Sequence, residues 1–163
     1  MKGLTALAKG LITTGLMLAL SMYIFYARVP ATSKLNWLVF ILFGAGILWT
    51  VIEYGLFINP SAKFGDLFGQ GFRCFIIVTL AMTLFTAAIS LSHPEFAEID
   101  AKNYREYLDA EAKDKLPAER DKMADEYKKH YTSQLIYTSI FGYLVVGSIV
   151  TAAGSAILLL RKK

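Results

Sequence analysis

The chain of 163 residues is 55% hydrophobic and 18% charged, with a formal charge of +4. A soluble domain carries about a quarter charged residues and mixes its apolar positions with polar ones, whereas here the apolar residues gather into long uncharged blocks, a membrane pattern. The basic residues sit at block ends and in one mixed-charge segment, which topology and solvation explain better than a nucleic-acid patch does, and a single cysteine, Cys74, excludes an intrachain disulfide.

Four blocks, at about 4–27, 36–58, 72–91 and 133–160, can each cross a bilayer core of about 30 Å, which takes about 20 helical residues. The first, "LTALAKGLITTGLMLALSMYIFYA", contains Lys9 and the small pair Gly10 and Thr14, four residues apart. It is longer than the apolar region of a signal peptide, and no small-x-small site precedes Arg28, so a permanent span is expected. After the turn "RVPATSK", the second block carries one carboxylate, Glu53, inside "ILWTVIEYGLFINP". A charge in hydrocarbon is costly, and Glu53 therefore calls for a partner.

In "KFGDLFGQGF" the rings of Phe64, Phe68 and Phe72 recur every four residues, with Gly65, Gly69 and Gly71 beside them. This spacing predicts an interfacial helix running into the third span. Arg73 opens that span, followed by Cys74, read as a small apolar packing residue.

Residues 93–132 read as a helical hairpin inserted before the fourth span. Ser92 and Glu95 stand at capping-box spacing with Pro94 in the first turn, and the break falls at Leu116-Pro117. Ala101, Tyr104, Leu108 and Ala112 form one apolar stripe, and Met123, Tyr127, Tyr131 and Leu135 form the other. Asp109–Lys113, Glu111–Lys115 and Asp125–Lys129 are acid-before-base pairs at i, i+4. The two arms either pack on each other or offer Tyr104, Leu108, Met123, Tyr127 and Tyr131 to another protein. No breaker separates the second arm from the fourth span, so one helix is expected from about Ala118 to Leu160. Its row of small residues, Gly147, Ser148, Thr151, Ala152 and Ser155, predicts a close helix–helix contact. The fold class expected is all-α: four transmembrane helices with the hairpin between the third and fourth.

Counting inward from the span ends places both Lys9 and Glu53 about five residues, or roughly 7 Å, below one interface. Antiparallel neighbours would bring them together, with Arg73 as a second candidate partner. With four spans, both termini and the second loop share a side, which holds Lys2, Lys9, Lys63, Arg73, Arg161, Lys162 and Lys163. The opposite short loop holds Arg28 and Lys34. The excess of positive charge puts both termini in the cytoplasm and the insert across the membrane.

The order of parts resembles the domain of unknown function 4199 family of small membrane proteins, found mostly in Bacteroidota. The resembling features are "AKGLITTGL" opening the first span, "FGDLFGQGF" leading into the third, the charged helical insert and the basic "RKK" end. The insert departs from that family in being richer in Tyr and Ala than in Met. The resemblance implies a bacterial envelope-membrane protein and supplies no assigned chemistry; together with the charge distribution it puts the protein in the inner membrane with the insert in the periplasm.

The residues themselves carry no enzyme motif. "GAG" at 44–46 lacks a following lysine, and His93 and His130 have no partner at metal-ligand spacing, so no catalytic, cofactor or metal residue is expected. Two classes of function remain in view, besides a weaker reading as an enzyme on a lipid-linked substrate. One is a non-catalytic membrane subunit in contact with lipid and with a protein partner, scaffolding or regulating an envelope complex. The other is a small transporter working through Lys9, Glu53 and Arg73.

Overall fold

A computed structural model describes residues 3–27, 34–112 and 115–161. Arg28 and Lys113, with the three terminal lysines, lie outside these residues, and so does the expected Asp109–Lys113 pair. The described chain is helical: α1 (Ala6–Tyr26), α2 (Leu35–Glu53) continued by a π turn (Tyr54–Ile58), α3 (Phe64–Ser92), α4 (Glu95–Glu111) and α5 (Pro117–Arg161). Four of these helices, counting α2 with its π turn, are long and apolar enough to cross a membrane, and no strand occurs among the described residues. The chain has the make-up of a multi-pass membrane protein.

Local chemistry sets several boundaries. Thr5 caps α1, its Oγ1 accepting the Ala8 N–H at 3.2 Å, and frees the helix to begin at Ala6. The Phe/Gly stretch is the first turns of α3 itself, with Phe64, Phe68 and Phe72 stacked ring on ring at 5.9 and 6.3 Å. The capping box expected at Ser92 does not form. Ser92 is the last residue of α3, Pro94 takes the cap position without a side-chain bond, and Glu95 instead meets the His93 ring at 2.7 Å. The hydrogen bond with His93 holds the Glu95 carboxyl below the ordinary carboxylate range.

The chain divides into two compact units. The first comprises Met1–Met82 with Ile140–Lys163. Its packing inverts the soluble rule. Leu7, Leu11, Ile41, Ile149 and Ile157 point outward, while Lys9, Thr13, Thr14, Thr50, Thr151 and Ser155 are buried beside Met17, Phe43, Ile47 and Phe75. In lipid this order carries no penalty, because acyl chains solvate the outer leucines as well as a core would. The buried threonines mostly look after themselves. Thr13, Thr50 and Thr151 each donate to the carbonyl four residues earlier, at 2.8, 2.9 and 2.6 Å.

Glycines let the helices approach. A Cβ on Gly46 would overlap Thr13, one on Gly71 would stand 2.6 Å from Thr151 Cγ2, and one on Gly147 would stand 2.8 Å from the Phe75 ring. On the small-residue row of α5, Gly147, Thr151 and Ser155 are buried, Ala152 is half-buried and Ser148 is exposed. The contact therefore follows the 147/151/155 line, and Ser148, 100° further around the helix, faces outward. Gly10 and Thr14 are both buried on α1, where a Cβ on Gly10 would stand 3.1 Å from the Cys74 carbonyl.

The second unit, Thr83–Ser139, contains the end of α3, α4 and the first turns of α5. Leu108 and Tyr131 are buried, Tyr104 stacks on Tyr127 at 4.8 Å, and Met123 receives the Lys115 ammonium at 3.4 Å. The two apolar stripes are thus used against each other within the unit. Arg105 pairs with both Asp109 and Asp121, Arg120 with Asp109 at 2.7 Å, and Lys128 with Glu98 at 2.8 Å. Glu111–Lys115 and Asp125–Lys129 do not pair. The first fails because α4 ends at Glu111 and Lys115 turns to Met123.

This packing predicts opposite outcomes for two glycines of α3. Gly71→Ala and, from the other side of the contact, Thr151→Leu should each lower stability by about 1–3 kcal/mol through overpacking. Gly65→Ala, with open space around its Cβ, should keep or raise it. Thermal unfolding in detergent distinguishes the two patterns.

Candidate functional site

Glu53 is the last residue of α2 before the π turn, and Lys9 lies in the first turn of α1. Lys9 Nζ stands 3.1 Å from Glu53 Oε2, with side-chain exposures of 1% and 21%. Trp49, one helical turn before Glu53 and so on the same face, sets its ring 5.7 Å from the same ammonium. A carboxylate and an aromatic face together replace the water that Lys9 has lost; the ring contributes on the order of 0.5–2 kcal/mol, depending on desolvation. Gly3 passes so close that a Cβ there would lie 2.5 Å from Glu53 Oε1.

Lys9 is among the residues lining a cleft of about 700 Å³, and Glu53 lies behind it, off the lining. Thr5, Tyr54, Gln70 and Arg73 supply its polar lining, while the Lys9 side chain is all but buried. Leu4, Leu7, Ile58, Phe72, Ile76 and Ile77 supply the apolar part. The π turn contributes both Tyr54 and Ile58, and π turns in helices frequently accompany functional sites. Arg73 is exposed and makes no ion pair among the described residues.

Of the residues singled out in the sequence, the structure brings Lys9 and Glu53 together and puts Arg73 on the same cleft without joining it to Glu53. Cys74 is buried behind them, its Sγ 3.7 Å from the Gly46 carbonyl. The packing residues of α5 and the tyrosines of the second unit belong to other contacts. Sequence reasoning missed Trp49, Tyr54 and Gln70. The i, i+4 spacing of Trp49 and Glu53 could have found the first; nothing in the sequence marks the π turn that presents the second.

Among the described residues, no three His, Cys, Asp or Glu side chains gather in a way that could hold a metal ion. Comparison with protein-family models, with curated proteins and with solved structures returned no match.

The pair should behave as a coupled unit. Glu53→Gln leaves a buried ammonium uncompensated and should cost about 3–5 kcal/mol. Adding Lys9→Met should recover much of that loss, because an apolar replacement of similar size is often tolerated where a broken pair is not. A double-mutant cycle on thermal stability reads the coupling directly, and additive losses would mean the two charges do not depend on each other.

Proposed function

We propose that the chain is a non-catalytic, multi-pass subunit of the bacterial inner membrane that scaffolds or regulates a larger envelope complex. Both termini lie in the cytoplasm, and residues 93–132 form a periplasmic helical hairpin. The observation that carries this reading is how the charges are used. Lys9 exposes 1% of its side chain and is held by Glu53, so the intramembrane pair locks two helices together. The charges of the second unit cross-link α4 to α5 through Arg105, Arg120 and Lys128. Such a hairpin is a stiff arm suited to holding a partner. The resemblance to the domain of unknown function 4199 family supports the same placement.

A transport role is the second reading, favoured by the cleft that reaches the pair. A coupling site must exchange its proton or ion with water, and a sealed Lys9 argues for the structural role. In function the two readings part at the Lys9→Met/Glu53→Gln double variant. A scaffold keeps its partner in that variant, whereas a transporter folds and fails to transport.

Orientation is tested with single cysteines in a Cys74→Ser background. Lys102→Cys should react with an impermeant maleimide added to the outside of spheroplasts, and labelling only after lysis would reverse the topology. Mild extraction at native expression, followed by mass spectrometry, should recover a stoichiometric membrane partner. Recovery of the chain alone would count against a subunit role.

A further inference from the structure

The cleft between the start of α1, the π turn and the early turns of α3 holds more than a structural pair requires. At about 700 Å³ it lies within the range of small-molecule sites, about 300–1,000 Å³. Its charge is also unbalanced. Glu53, the carboxylate beside it, is neutralised by Lys9, which leaves the exposed Arg73 guanidinium as net positive charge with no ion-pair partner among the described residues. Gln70 and Tyr54, residues that carry neutral hydrogen-bonding groups, stand on the same lining.

The rest of the lining is hydrocarbon, and part of it continues onto the outer surface. Leu7 is 56% exposed and Phe72 44% exposed, while Ile76 and Ile77 are half-buried behind them. In a bilayer such a wall meets acyl chains sideways. An occupant entering along it would have an apolar tail and a charged head, which a soluble anion lacks. A guanidinium binds a phosphate through two parallel N–H bonds, and basic pockets between membrane helices hold anionic headgroups. A zwitterionic headgroup would bring its own cation towards Arg73 and lose by it.

We infer that this cleft binds an anionic glycerophospholipid, its phosphate on Arg73 and the start of one acyl chain along Leu7, Phe72 and Ile76. The site holds a boundary lipid in a fixed place beside the Lys9–Glu53 pair. This inference is independent of whether the chain serves as a scaffold.

Native mass spectrometry of the purified protein in neutral detergent tests it, with phosphatidylglycerol, phosphatidylcholine and inorganic phosphate as separate probes. One saturable equivalent of phosphatidylglycerol should bind, with phosphatidylcholine and inorganic phosphate at least roughly tenfold weaker. Arg73→Gln should weaken phosphatidylglycerol by a similar factor and leave the lipid-free melting temperature unchanged, since Arg73 has no ion pair to lose. Arg73→Lys should restore part of the binding, keeping the charge without the fork. Lys34→Gln, on an exposed residue outside the cleft, should change nothing. Equal binding of the two lipids, full retention in Arg73→Gln, or an equal loss in Lys34→Gln would overturn the site. Inorganic phosphate binding as tightly as the lipid would show a soluble-anion site and overturn the lipid assignment.

Discussion

A buried ammonium governs the geometry of the first unit. Lys9 is among the largest fully buried side chains, and lipid offers it nothing, so α2 must supply its counter-charge at one depth and on one face. Glu53 and Trp49 do so from successive turns. Once they are engaged, the register of the two helices is set along their length. Thr13, one turn beyond Lys9 on α1, then faces Gly46, two turns before Glu53 on α2, at a spacing that only a glycine allows. The charge pair and the glycine contact are two consequences of one register.

The remaining cohesion has to come from close fit, because burying leucine gains little when the solvent is itself hydrocarbon. The interior accordingly holds threonines that bond back to their own helix, glycines that remove a side chain at the crossing, and a few rings. Phe43 and Tyr143 meet edge-on at 5.2 Å, and Phe72 meets Phe75 at 5.0 Å. The second unit follows the opposite logic. Arg–Asp pairs join α4 to α5, Tyr104 stacks on Tyr127 and Tyr131 is buried, so charge and ring contacts hold it.

What can be read from the sequence divides along the axis and azimuth of each helix. Long uncharged blocks leave no alternative to spanning helices, and Pro117 marks where the last one starts. Counting residues gives Lys9 and Glu53 one depth, because the rise per residue is fixed. Counting gives no rotation about the axis. Ser148 and Gly147 are equally small and adjacent, and only the packing decides that one is exposed and the other buried. The capping-box reading of Ser92 and Glu95 failed for a local reason: the helix before it did not stop in time for Ser92 to serve as a cap, and His93 was nearer to the carboxylate. Trp49 was lost among neighbouring apolar letters, since its role depends on a charge from another helix.

The π turn at Tyr54–Ile58 has a bearing on how the chain could change. Such a turn is what an α-helix becomes when it accepts one additional residue without surrendering either flank. The bond from the Asn59 N–H to the Tyr54 carbonyl, 2.7 Å long and spanning five residues, is the mark of that accommodation. The end of α2 therefore carries a spare residue, placed directly after the carboxylate that fixes the register. Losing one position there would tighten the turn to ordinary α pitch and draw in the side chains that the wide turn pushes out, with Glu53 and the chain beyond the turn left in place. Length variation at this point would alter the part of the cleft lined by Tyr54 and Ile58 and spare the charge pair that sets the register.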